Sequence, residues 1–156
     1  MTDTTTSPDP QQTARAAADA MWPRDRVAQW MDMRLIDVAP GRAVLEMRIA
    51  EHMTNAFGSC HGGVIFSLAD TAFAYACNSS DRVTVASACH VDFLAPGRVG
   101  QMLRAEAHER SASGRTGVYD VTVRTADGAT TIALFRGKSH RLQGEVVASL
   151  AGGDAN

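Results

Sequence analysis

Several functions are closed to this chain by what it lacks. It has three cysteines, Cys60, Cys77 and Cys89, an odd number with no C-x-x-C spacing. That argues against a disulfide framework and for a reducing cytoplasm. Its 15 basic and 17 acidic residues are interspersed and leave a net charge of −2, so no basic field invites nucleic acid and no polybasic segment anchors it to a membrane. The opening MTDTTTSPDPQQ lacks the charged-then-apolar pattern of a signal peptide. Motifs are missing too: there is no G-x-S-x-G, no phosphate loop and no dinucleotide fingerprint.

What remains is the profile of an ordinary globular domain, 45% apolar and 21% charged over 156 residues. Residues 1–12 read as a disordered tail and residues 143–156 as a flexible one, leaving a single domain over 13–142. Thr13 to Met21 is an Ala-rich helix that should stop near Pro23, and Arg24 to Met31 suits a second short helix. Strand signals follow. Arg34 to Val38 runs into the turn Pro40-Gly41, then Ala43, Leu45, Met47 and Ile49 alternate with Arg42, Glu46 and Arg48. Further strands are expected over Arg82 to Phe93, Val99 to Arg110, Arg115 to Thr125 and Thr130 to Arg141, with Asp127-Gly128 marking a hairpin.

Between His61 and Asp81 lie nineteen residues, GGVIFSLADTAFAYACNSS, with one charged side chain, Asp70. The segment is too long for a strand and carries mid-helix Ala and Leu, so we read a helix from about Gly63 to Asn78. Its small and polar residues make a transmembrane reading poor. A helix apolar on nearly every side must be covered nearly everywhere. The expected fold is therefore α+β, a curved antiparallel sheet wrapped around the helix, with the remaining side sealed by a partner chain.

An ionised carboxylate in such surroundings is costly unless it is paired, hydrogen-bonded or near solvent. Asp70 is thus a candidate catalytic group, or else the partner of a strand arginine or a backbone cap. Gly62 and Gly63 open the helix with unobstructed N–H groups suited to a developing oxyanion, or simply permit a tight turn. Asp70 follows Gly63 by seven residues, about 10 Å along the axis. One copy can hardly bring both functions to one carbonyl, whereas two antiparallel copies across a two-fold axis can. A shared site and an obligate dimer follow.

Phe66 and Phe73, with Cys77, form an apolar stripe beside Asp70 that is either core or the lining of an acyl pocket. Asn55 lies in the loop before the helix, where an Asn more often makes a turn than contacts a ligand. His61 is either an acid–base group or a brace for that loop. His52, Cys60 and His61 match no metal spacing, and no metal site is expected. Arg136, Lys138 and His140 share one face of the last strand, as a solvated face or as candidates for substrate phosphates together with Arg141.

These residues sit in strings that resemble the hotdog-fold acyl-CoA thioesterases of the phenylacetate-degradation (PaaI) type. The strings are CHGGVIFSLADTAFAYACNSS (60–80), ASACHVDFLAPG (86–97), RTGVYDV (115–121) and ALFRGKSHR (133–141). The resemblance runs from about Arg26 to Leu142. It implies a hotdog dimer, commonly a dimer of dimers, that hydrolyses aryl-acyl-CoA thioesters such as phenylacetyl-CoA. Coenzyme A is then part of the substrate, and no separate cofactor is implied. The family's carboxylate falls on Asp70, its amide donor on Gly62 or Gly63 and its loop asparagine on Asn55. A Ser or Thr common in the family on the strand after the helix aligns near Ala86, with Ser87 beside it. Two other functions fit the same pocket: a hotdog-fold enoyl-CoA hydratase or dehydratase using His61 and Asp70, and a non-catalytic acyl-CoA-binding module.

Overall fold

The computed structural model describes residues 9–152. Helix α1 (Pro10–Met21) starts earlier than Thr13 because Asp9 caps it, accepting from the Gln11 N–H at 3.3 Å, and Pro10 supplies a preset first helical residue. Of the expected N-terminal tail, residues 1–8 lie outside the described residues. A single 3-10 turn over Trp22–Arg24 carries Pro23, and Asp25 then caps the five-residue α2 (Arg26–Trp30) by accepting from the Ala28 N–H at 3.0 Å.

Six strands follow: β1 (Arg34–Ala39), β2 (Arg42–Arg48), β3 (Arg82–Phe93), β4 (Met102–Ser113), β5 (Thr116–Thr125) and β6 (Thr131–Glu145). They form one sheet in the order β1-β2-β4-β5-β6-β3, and every pairing is antiparallel. The β5–β6 hairpin turns at Asp127-Gly128 as the sequence implies. The Asp127 carboxylate accepts from Thr125 Oγ1 and the Ala129 N–H, and Gly128 takes φ +76°. Helix α3 (Gly62–Cys77) crosses one face of the sheet.

That face is the core. Leu45, Leu103, Val121, Val123 and Phe135 point into it and are essentially sealed, as are Leu68, Ala72 and Phe73 of the helix. Gly137 of β6 is required there, since a Cβ would come within 2.8 Å of the Phe73 ring. The helix sits off-centre, over β2, β4 and β5 more than over β6 and β3.

The C-terminus departs from the sequence reading. β6 continues past Leu142 to Glu145, and α4 (Val146–Ala151) follows where the sequence predicts a flexible tail. Asp81 holds its start by accepting from the Val147 N–H at 2.9 Å, Arg24 donates to the Leu150 carbonyl at 2.8 Å, and α4 packs on α1. The tie comes from residues 66 and 126 positions away, which local sequence does not display.

Candidate active site

The start of α3 is built by the loop before it. A bridge between Thr54 and Cys60 closes this loop, and its ends are held by His61 N–H to the Met53 carbonyl and Cys60 N–H to the Gly97 carbonyl, each 2.8 Å. Asn55 braces the interior. Its Oδ1 accepts from the N–H groups of Phe57 (2.9 Å) and Ser59 (3.2 Å), while its Nδ2 donates to Ser59 Oγ at 3.0 Å. This is the turn-making role that loop asparagines favour. One Nδ2 hydrogen is still unused, and Asn55 lines the same cavity as Gly62.

His61 caps the helix. Its Nδ1 accepts from the Gly63 N–H at 2.9 Å, which leaves the ring proton on Nε2. The consequence for the two glycines is direct. The Gly63 amide is consumed by the cap, whereas the Gly62 N–H meets no acceptor among the described residues. Gly62 is the free donor at this helix end.

Asp70 lies two turns further on, half-buried, and no hydrogen bond or ion pair joins its side chain to another described residue. An internal strand-arginine partner is therefore not present. Burial raises its pKa above the usual carboxylate range, and the nearby charge of Asp25 adds to the rise. Gly63, Ser67, Asp70 and Ala74 recur at three- and four-residue spacings and stay partly open, so they mark the uncovered side of α3.

Strand β3 borders that open side. Its residues pair with β6 so that Cys89 stands opposite Gly137, on the helix-facing side, yet Cys89 is exposed. The Asp70 carboxylate also lies close enough to help raise the Cys89 and Cys77 thiol pKa values, although burial is the larger cause in both. Burial pushes the Cys60 thiol up to about 11, so no thiolate competes as nucleophile.

The remaining predicted residues separate. Ser87 is the bulged residue of β3, between Ala86 and Ala88, and its hydroxyl donates to the Lys138 carbonyl at 3.0 Å. Phe66 is half-buried and packs edge-on against Phe135, with centroids 5.4 Å apart. Phe73 belongs to the core rather than to a pocket, fully buried against Tyr119 and Phe135. Arg136, Lys138 and His140 alternate with the buried Phe135, Gly137 and Ser139, which puts them on the outer face of the sheet, away from α3. Arg136 is engaged by Asp120 through Nε at 2.6 Å and Nη2 at 2.9 Å, and Arg110 shares that carboxylate. It is not a free phosphate ligand in the protomer. Lys138 and His140 are exposed.

Two groups escaped the sequence reading. Asp25 is visible in sequence as a helix cap, but its approach to Asp70 depends on how α2 packs on α3. Phe93 ends β3 and presses on the helix start: a Cβ at Gly62 would sit 3.1 Å from its Cζ. Alternation along β3 puts Phe93 on the same face as Cys89 and Val91, which is the signal that could have found it. Among the described residues, no three His, Cys, Asp or Glu side chains converge on one point. No described helix is long and apolar enough to cross a membrane. A cavity of about 770 Å³ lies at the far end of α3 beside Cys77 and Tyr119, away from Gly62.

Comparison with known proteins agrees with this architecture. The sequence profile of the thioesterase superfamily matches residues 57–132. The acyl-coenzyme A thioesterase PaaI of Escherichia coli (strain K12) is 48% identical over 129 residues, covering 83% of this chain and 91% of that protein. The structure of the E. coli PaaI protein superposes with a TM-score of 0.85 at 46% identity, over 88% of this chain and 99% of that one. A Thermus thermophilus protein aligns at TM-score 0.73 and 35% identity, over 76% of this chain and 99% of its own. On this identity over most of both chains and this superposition of the fold, the chain belongs to the thioesterase superfamily as a hotdog-fold protein of the PaaI acyl-coenzyme A thioesterase group.

Proposed function

We propose that the protein hydrolyses aryl-acyl-coenzyme A thioesters, phenylacetyl-CoA and its hydroxylated relatives foremost, to the free acid and coenzyme A in phenylacetate breakdown. The observation that carries this reading is the pair of unengaged groups on α3: the Gly62 N–H at its start and the Asp70 carboxylate on its open side. An amide donor without an acceptor suits the oxygen of a thioester carbonyl as it becomes an oxyanion. A carboxylate made more basic by burial suits removal of a proton from water.

The two groups are eight residues apart on one helix, roughly 12 Å along the axis. Donor and base must meet one carbonyl within about 3 Å of each other's reach. A second copy of the chain, pairing along β3 and laying its α3 antiparallel to the first, supplies the missing half. The exposed inner face of β3 and the off-centre helix leave room for it. In this arrangement the carbonyl oxygen accepts from Gly62 and from the spare Asn55 N–H. Asp70 of the other subunit takes a proton as water attacks the carbonyl carbon. The tetrahedral intermediate then expels the thiolate of coenzyme A, which takes a proton from Asp70, and the carboxylic acid leaves. Direct attack by Asp70, through an anhydride that water then opens, uses the same groups.

The hydratase reading needs His61 and Asp70 on adjacent carbons. It is disfavoured by the commitment of His61 Nδ1 to the helix cap, which takes that nitrogen out of proton transfer. Thiol release measured over a panel of aromatic and straight-chain acyl-CoAs tests the proposal, with arylacetyl substrates expected to lead. Loss of enoyl-CoA absorbance without thiol release would replace it.

A further inference from the structure

The cavity beside Gly62 contains about 390 Å³ and is lined chiefly by Ile65, Phe93, Leu94, Pro96 and the Asn55 loop. A dry apolar cavity of about 150 Å³ already accommodates a benzene ring. Phe93 is the hinge of this space. The tip of its ring lies 3.1 Å from where a Cβ at Gly62 would stand, yet the residue remains 52% exposed, so much of the ring is free to meet a ligand. The polar side chains of the cavity engage each other. Asn55 and Ser59 bond to each other, which leaves the Gly62 N–H and one Asn55 N–H, and the thioester carbonyl claims both. The apolar walls suit the acyl side of the scissile bond.

We propose that Phe93 is the residue that selects the acyl group, packing against the aromatic ring of an arylacetyl thioester whose carbonyl is held at Gly62. This deepens the thioesterase reading and rests on it. An offset or edge-to-face ring pair contributes roughly a 2- to 12-fold preference beyond the area it covers. A straight acyl chain fills the same space but forfeits that term.

The test is kcat/KM for phenylacetyl-CoA and for hexanoyl-CoA with the wild type, Phe93→Leu and Phe93→Tyr. The ratio of the two substrates should fall about tenfold in Phe93→Leu and stay within about twofold in Phe93→Tyr. If Phe93→Leu fails to assemble, Phe93→Met gives the same comparison. An equal loss on both substrates, or an unchanged ratio, overturns the assignment. Wild-type protein that releases no thiol from any acyl-CoA removes the thioesterase reading itself, and that outcome is separate from a flat selectivity ratio.

Discussion

The sheet has two edges, and they are finished differently. β1 is six residues long, is interrupted by a bulge between Leu35 and Asp37, and is covered by α1, with Val38 sealed. β3 is twelve residues long and exposed along nearly its whole length, even at Cys89, which faces the helix layer. Proteins blunt free edges with short strands, bulges and covering elements, because an open ladder recruits further strands. β1 carries those devices. β3 has register shifts near Val83 and Ser87 but no cover, and the catalytic candidate Asp70 opens toward the same side. The contrast supports the proposed shared site: one edge is finished within the subunit, and the other is left open for the second subunit which that proposal requires.

The largest effect should come from the open side of the helix. Asp70→Asn is expected to lower thiol release by about 10²–10⁴-fold while leaving the oligomer intact. Near-normal turnover would take Asp70 out of the chemistry. Gly62→Pro should cost about 10²–10³-fold. Proline is accepted at a first helical position, and His61, at φ −61° and ψ 135°, already has the conformation a residue before proline prefers. The substitution thus deletes the N–H with the helix retained, as circular dichroism would show, and the half-exposed Phe93 ring can swing aside.

Cys89→Glu sharpens the contrast between the edges. It sets a new carboxylate on the inner face of β3 beside Asp70 and, across a two-fold, near its own copy. Sedimentation should show monomers, with activity falling in parallel. A charge at an outward position of β1, Ile36→Glu, should leave the assembly unchanged. An unaltered dimer in Cys89→Glu would mean that β3 is not the joining edge.

The smallest effect is on stability. The folded pKa of Asp70 lies above its unfolded value, since burial and then Asp25 oppose its ionisation. The stability associated with its neutral form is fully present below the unfolded pKa and is lost as pH rises through the folded one. Asp70→Asn should therefore melt above the wild type at neutral pH, and the gap should close below about pH 4. A lower melting temperature at neutral pH would show that the carboxylate is stabilised by partners rather than strained.

Much of this was legible in the chain. Alternation over Ala43 to Ile49, the Asp127-Gly128 hairpin and the charge-poor segment after His61 mark their elements because their causes are local. Asp70 stood out because a lone charge in an apolar run has few structural excuses. What the sequence did not separate were contacts set by tertiary packing. Gly62 and Gly63 look equivalent until the His61 ring takes one amide. Phe66 and Phe73 look like one stripe until Gly137 draws Phe73 into the core. Arg136, Lys138 and His140 share a face by period, but that face turns away from the helix, and Asp120 claims Arg136 from a neighbouring strand.

Subunit complementation tests the central claim most directly. Asp70→Asn and Gly62→Pro proteins, each inactive, are unfolded together, refolded at equal concentration and assayed for thiol release. If donor and base come from different subunits, each mixed dimer rebuilds one intact centre, and about a quarter of wild-type activity returns for random pairing. Mixed dimers that form but stay inactive would mean that both groups act within one chain, and the shared centre would be refuted.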